Sequence, residues 1–475
     1  MLQVWQKKFT FVAGTFGPQP NKTVVMNRLH IISILCLILA CDHADLRAQK
    51  SQTGFGAAPA RAEFVSFDIR EDANRDDRQA LQFYVPFDPA TLTSNASQRS
   101  AGQIVDVLQF WNNRDMYLHI ENPDGAYTLY INDSLVGRST DTRTPVEYYI
   151  SPYIRQGRNA IIVDIETDGE PLLSSSLGKN PRKPFENSYI YSQPKMRIYD
   201  YEVRFEPDST ASYGVLEIDI IAGNSYNYDE TFTVGYDIYD PAGKLQDYNL
   251  REVTVAGRSV DTVHFKQFIY KTNQWRWSAR TPHLYRLTLY TQANRTITEY
   301  IPLRIGFGLT EFNGSEILRN GEPVEIKAAA YNAAATRSET SKELKALKSK
   351  GINTIYVGYP QIYWFYDLCE ELGFYVIDAA DINVSEGRDD RTVNGTPSND
   401  PTLVGEYIDR VNRMYMRNRN RTCIIGWGLG HRSGNGYNMY KAYQWLKGLD
   451  DPRPVTYDDS DGEWNSDMDL PAAIR

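Results

Sequence analysis

The stretch NTIYVGYPQIYWFYDLCEELGFYVIDAA, residues 353–380, decides the fold. NTIYVG (353–358) reads as a short strand. YWFYDLCEELG (363–373) has helical length and stops at Gly373, the residue type that closes helices in the left-handed conformation. FYVIDAA (374–380) is again a strand. Strand, helix, strand with apolar strands is the pattern of a parallel βα unit.

The alternation continues in both directions. Upstream, VEIKAAAY (324–331) reads as a strand and ETSKELKALKSKG (339–351) as a helix ended by glycine. Downstream come a helix, VGEYIDRVNRMYMRNRN (404–420), a strand, TCIIGWGLG (422–430), a helix, YNMYKAYQWLKGL (437–449), and a strand, PVTYDD (454–459). Arg417, Arg419 and Arg421 suit the C-terminal dipole of their helix and are expected on a solvated end. Tyr359, Tyr363 and Trp364 are expected on a core-facing helix surface.

Chain order and length favour a TIM-type (β/α)8 barrel over residues 305–475. No GxGxxG follows the first strand, so no dinucleotide and no other cofactor is expected. A closed barrel has eight strands. Five are readable, six if DMDLPA (467–472) is one. An open barrel leaves an unpaired edge, so either a protein partner covers it or the sequence is a fragment.

Before the barrel the rhythm is all β. Residues 62–195 carry short alternating runs such as MYLHI, YTLYIND and NAIIVDIE. Residues 196–304 repeat the style at regular spacing, which predicts an immunoglobulin-like sandwich. Residues 49–61 are small and polar, a linker. From Met26 the chain reads MNRLHIISILCLILAC, a basic start, an apolar run and Cys41. This predicts a true start at Met26 and a secretory signal too short to span a bilayer. ILAC points to lipidation of Cys41, with cleavage after Ala48 as the competitor. Residues 1–61 are therefore taken as misassigned start, signal and linker, and the mature protein as exported, periplasmic or outer-membrane-anchored, with membrane contact only through the lipid.

Composition narrows the partners. Net charge is −9 with no long basic run, which argues against nucleic acid. The 33 tyrosines favour strand-rich structure, with sugar stacking as the sharper reading. Cys369 and Cys423 sit in apolar segments as expected free thiols, and no metal-ligand spacing appears.

Several stretches in order carry a resemblance. They are YINDSLVGRSTDTRTPVEYYISPYIRQGRNAIIVDI (130–165), WSARTPHLYRLTLYT (277–291) followed by RIGFG (304–308), FYDLCEELGFYVID (365–378), and RNRNRTCIIGWGLGHRSGNG (417–436) followed by WLKGLDDPRPVTYDD (445–459). Together they resemble glycoside hydrolase family 2, the β-galactosidase/β-glucuronidase family. The resemblance implies a jelly-roll sugar-binding-like domain over 62–195, an immunoglobulin-like domain, and then the catalytic barrel.

It also implies retaining hydrolysis, which needs an acid/base carboxyl and a nucleophile about 5–5.5 Å apart. The family motif places Asn-Glu after the glycine of the fourth strand. The matching residues here are His431 and Arg432. A guanidinium stays charged and cannot hand a proton to a leaving oxygen. His431 can titrate near neutral pH but occupies the neighbouring position. Ala330, Tyr331 and Asn332 stand where an Asn-x-His type motif belongs, Tyr356 and Gly358 near an Arg and a His, and Ala379 where VIDEA carries its carboxylate. Family nucleophiles lie on a late strand, beyond Arg475.

The expected function is therefore an exported, catalytically degenerate relative that binds carbohydrate or serves as an accessory component. The alternative is a truncated or chain-completed retaining exo-glycosidase. No catalytic set is intact. The pocket candidates are Tyr331, Asn332, Tyr356, Asp378, Asp381, Trp427, His431, Arg432 and Asp458. Asp378, Asp381, Asp458 and Asp467 lie near strand ends, where two could form a replacement pair, although Asp378 and Asp458 equally fit capping roles. Trp427 is read either as the floor of a sugar subsite or as barrel packing.

Overall fold

The structure, a computed structural model, describes residues 55–470 except 77, 79–80, 95–97, 124, 167–171 and 208–212. The Met26 start, the signal run, Cys36, Cys41, Arg475 and the end of DMDLPA lie outside the described residues.

Two antiparallel sandwiches come first. In one, strands Tyr84–Pro86, Tyr189–Pro194, Arg114–Ile120 and Val146–Tyr149 form a sheet in that order. Its companion sheet runs Ala90–Ser94, Gln98–Val107, Gly157–Glu166, Tyr127–Ile131, Ser134–Ser139. NAIIVDIE shows how the sequence builds this: Ile161, Val163 and Ile165 alternate into the core with Leu118, Leu129 and Ile131.

The other sandwich pairs Met196–Pro207, Tyr213–Asn224 and Ser259–Tyr270 against a sheet ordered Leu245–Val255, Glu230–Tyr239, Tyr285–Ala293, Thr296–Ile305. Ile218, Ile220, Val234, Tyr236, Leu287 and Leu289 fill the space between them.

RIGFG makes the turn toward the barrel. A side chain at Gly308 would collide with the guanidinium of Arg319, which lies 5.0 Å from the Trp277 ring. Trp277 in turn donates its indole N–H to the Glu370 carbonyl at 3.0 Å. Burial without a carboxylate partner lowers the Arg319 guanidinium to about 10.

Five parallel strands follow among the described residues, in sequential order: β1 (Ala328–Ala330), β2 (Thr354–Tyr356), β3 (Tyr375–Ala379), β4 (Ile424–Gly428) and β5 (Val455–Thr456). Helices α1 (Arg337–Ser349), α2 (Tyr363–Leu372), α3 (Val404–Asn418) and α4 (Tyr437–Lys447) connect them. β1 is shorter than the 324–331 expected, because Val324 donates to the Ile317 carbonyl beside the small hairpin sheet. Of DMDLPA, Met468 makes a single parallel bridge to Thr456. Tyr359, Trp364, Cys369 and Cys423 are buried, and both thiols are free.

Gly373 closes α2 at φ +74°, and a Cβ there would stand 2.4 Å from the Ala279 carbonyl oxygen. Gly373→Ala should therefore lower stability by at least about 1–2 kcal/mol, read from urea midpoints.

The arginine run corrects the sequence reading. Arg417 and Arg419 are buried and pair with Glu63 and Asp200, while Arg421 pairs with Asp367 and Glu370. Arg417 and Arg419 join the barrel to the preceding domains, and Arg421 ties the start of β4 to α2 within the barrel. Tertiary ion pairing, not the helix dipole, decides their place.

Candidate functional site at the strand C-termini

β4 leads into the bend Leu429–Gly430–His431–Arg432, and three neighbours hold it. The Tyr356 hydroxyl, at the end of β2, donates to the Gly430 carbonyl at 3.1 Å. The His431 amide donates to the Ile382 carbonyl at 2.8 Å. Asp458, just after β5, takes the Arg432 amide on Oδ1 at 3.0 Å and lies 2.6 Å from His431 Nδ1 through Oδ2. That second contact lies off the hydrogen-bonding direction. Tyr356 is buried with its ring 5.9 Å from the His431 imidazole. Burial raises the Tyr356 phenol well above its ordinary value, so it serves as a neutral donor.

Arg432 has φ +46°, a left-handed conformation uncommon outside glycine, and its side chain is exposed. Among the described residues it makes no ion pair. The structure thus brings together Tyr356, His431, Arg432 and Asp458.

Other candidates are placed elsewhere. Asp378 and Trp427 are cross-strand partners on β3 and β4, so strand alternation puts both on the helix-facing side. Asp378 accepts from the Tyr366 hydroxyl and the Asn418 amide, both at 2.8 Å. Burial pushes its carboxyl up to about 6 against those bonds. Trp427 packs 5.1 Å from the Tyr415 ring on α3, with the Arg453 guanidinium 4.5 Å from its own ring. It is barrel packing, not a subsite floor.

Asp381 turns toward the first sandwich, 3.0 Å from Arg410 and hydrogen-bonded to Ser174. Burial raises its carboxyl while Arg410 pulls it back. Asp378 and Asp381 therefore form no carboxylate pair with Asp458. Asp467 likewise serves structure, accepting from the Val455 amide and the Tyr443 hydroxyl. Tyr331 reaches Glu343 on α1 at 2.7 Å. Exposed Asn332 accepts from the Gly358 amide and Gln361 at 3.1 Å, tying the loops after β1 and β2.

Sequence reasoning missed an aromatic platform on the loop after β5. Trp464 is 55% exposed, with Tyr440 stacked at 5.0 Å and Tyr443 edge-on at 5.7 Å. The Tyr440 hydroxyl bonds Glu463, which pairs with Arg391. Tyr437 is 44% exposed on the first turn of α4. The signal available was one tryptophan inside a polar loop, DGEWNSD (461–467).

Three family models match in order: "Glycosyl hydrolases family 2, sugar binding domain" over 66–172, "Glycosyl hydrolases family 2" over 196–307, and "Glycosyl hydrolases family 2, TIM barrel domain" over 327–471. The chain is 29% identical to a beta-galactosidase of Priestia megaterium over 374 residues, covering 73% of this chain and 35% of that protein. A beta-galactosidase of Streptococcus thermophilus is 26% identical, with 73% and 34% covered. The chain thus spans about a third of the length of these relatives.

Among solved structures, a Bacteroides uniformis beta-glucuronidase superposes with a TM-score of 0.63 at 17% identity, covering 76% of this chain and 46% of that one. A glycosyl hydrolase family 2 member from Bacteroides cellulosilyticus gives 0.64 at 16% identity, with 85% and 57% covered. Sandwich, sandwich and parallel barrel sheet, matched in sequence and in shape, place this chain in glycoside hydrolase family 2.

Proposed function

We propose that this chain is a carbohydrate-binding relative of the β-galactosidases that does not hydrolyse its ligand. One observation carries the reading: Arg432 stands where the family motif has its proton donor, its side chain exposed and its guanidinium in no ion pair among the described residues. A guanidinium cannot act as general acid, and it sets positive charge beside an oxocarbenium-like transition state. Loss of the acid alone costs about 10²–10⁴ in rate. Trp464 supplies a sugar-sized aromatic face held rigid by Tyr440 and flanked by Glu463 and Arg391.

The test runs hydrolysis of nitrophenyl β-galactoside and β-glucuronide beside a glycan-binding screen on the purified chain. No turnover above buffer is expected, together with glycan binding that weakens roughly fivefold to tenfold in Trp464→Ala. Turnover abolished by His431→Ala would overturn the reading. It would favour the second reading, a retaining exo-glycosidase completed by further sequence, which the one-third span of the relatives supports. Export with lipidation at Cys41 is part of the same proposal; labelled palmitate incorporated by wild type and lost in Cys41→Ser checks it. A protein partner along β1, which pairs only with β2 among the described residues, completes it. Light scattering that shows a well-behaved monomer would count against that partner.

A further inference from the structure

Trp464 stands in a stretch of one charge sign. Between Arg453 and Arg475 the chain carries six acids, Asp458, Asp459, Asp461, Glu463, Asp467 and Asp469, and no basic residue. Cations from other segments meet four of them. Arg388 lies 2.7 Å from Asp459, Arg391 2.5 Å from Glu463, Lys447 3.0 Å from Asp467, and His431 Nδ1 2.6 Å from Asp458.

Two carboxylates only share a cation that is already taken. Asp461 is 82% exposed and lies 3.8 Å from Arg391, which serves Glu463 at closer range. Asp389, on the loop after β3, is 99% exposed and lies 3.8 Å from Arg388, which serves Asp459. The Arg388 and Arg391 pairs tie that loop to the one that carries Trp464, so both surplus charges lie on the segments around the platform.

An ionised carboxylate accepts hydrogen bonds and donates none. A neutral sugar brings hydroxyl donors to such a rim. A uronate or a sulfated sugar brings a like charge, and it reaches Arg388 or Arg391 only by displacing the carboxylate each already holds. Arg432 is the exception on the neighbouring bend: Asp458 binds its amide at 3.0 Å, while its guanidinium is in no ion pair among the described residues.

We propose, resting on the carbohydrate reading of the Trp464 platform, that it takes glycans without carboxylate or sulfate groups and turns anionic sugars away. Trp464 supplies the stacking face, and the surplus of Asp389 and Asp461 supplies the selection by charge.

The test measures binding of β-linked tetraoses of galactose, glucose and mannose to the purified chain, each beside the same tetraose with its primary alcohols oxidised to carboxylates. The neutral member of a bound pair should win by roughly threefold to tenfold in about 10 mM salt, where the Debye length is about 30 Å, and by less than about twofold in about 1 M salt, where it is about 3 Å. Asp389→Asn combined with Asp461→Asn should narrow the low-salt gap to within about twofold. Both aspartates are exposed, and Asn tolerates the left-handed φ of +51° at position 461. Trp464→Ala should weaken the neutral sugar in every background. Equal Trp464-dependent binding of the two members, or tighter binding of the oxidised one that is lost in Arg432→Met, would overturn this proposal and leave the carbohydrate reading standing. Absence of any Trp464-dependent binding would overturn both.

Discussion

Asp381→Ala should destabilise the chain by about 3–5 kcal/mol, the range for removing one member of a buried ion pair. Arg410 is 2% exposed and lies 3.0 Å from the Asp381 carboxylate. Its guanidinium remains charged whatever its surroundings. Without Asp381 its hydrogen bonds go to neutral acceptors, the Ser174 hydroxyl at 2.8 Å, the Thr140 carbonyl at 3.0 Å and the residue-381 backbone carbonyl at 2.5 Å, and the Asp141 carboxylate acts on it without a hydrogen bond. Neutral dipoles do not compensate a buried charge as a carboxylate does.

The same residues span Thr140 and Ser174 of the first sandwich and α3 of the barrel, so the loss falls on the domain junction. Urea unfolding should show a lowered midpoint and a transition that separates sandwich from barrel. Adding Arg410→Met to Asp381→Ala should recover much of the loss, because the stranded charge is then gone. A cost below about 1 kcal/mol for Asp381→Ala would show that water or rearrangement relieves Arg410 and that the pair does not hold the junction.

The second large effect depends on pH. Burial raises the Asp378 carboxyl from 3.8 to about 6. The folded state therefore prefers the protonated acid more than the unfolded chain does. For such a group the contribution to stability is greatest below the unfolded value near 4. It declines as pH rises and levels off above about 6. The shift corresponds to roughly 2–3 kcal/mol between those limits.

Asp378→Asn removes this dependence. The amide can still accept from Asn418 and meet the Tyr366 hydroxyl. The stability of the variant relative to wild type should climb by roughly 2–3 kcal/mol from pH 4 to pH 7, measured by urea midpoints across that range. Parallel pH curves for the two proteins would show that the Asp378 carboxylate is solvated in the fold.

Much of the architecture was readable because each element carries its own period. NAIIVDIE alternates, YWFYDLCEEL runs one helical length to Gly373, and NTIYVG and FYVIDAA flank it as strands. The residue identities after the fourth strand were equally legible: an arginine is an arginine wherever it points. The facing of individual residues was not. Strands of a parallel sheet are buried on both sides, so YVIDA (375–379) and IIGWG (424–428) show no alternation and give no sign of which side meets the helices. That is why Asp378 and Trp427 belonged among the pocket candidates by sequence and lie against α2 and α3 in space.

Local pattern by itself determined the strand and helix order, the turn glycines and the arginine at position 432, because these depend on residue type and on spacing within a few turns of chain. Tertiary structure alone decided that Arg417 and Arg419 join domains, that Arg421 pairs with α2 inside the barrel, that Asp381 neutralises Arg410, and that His431 rests on Asp458. Each of these is a pairing of charges drawn from distant segments, and the energy that fixes a buried charge comes from whichever opposite charge the fold brings beside it.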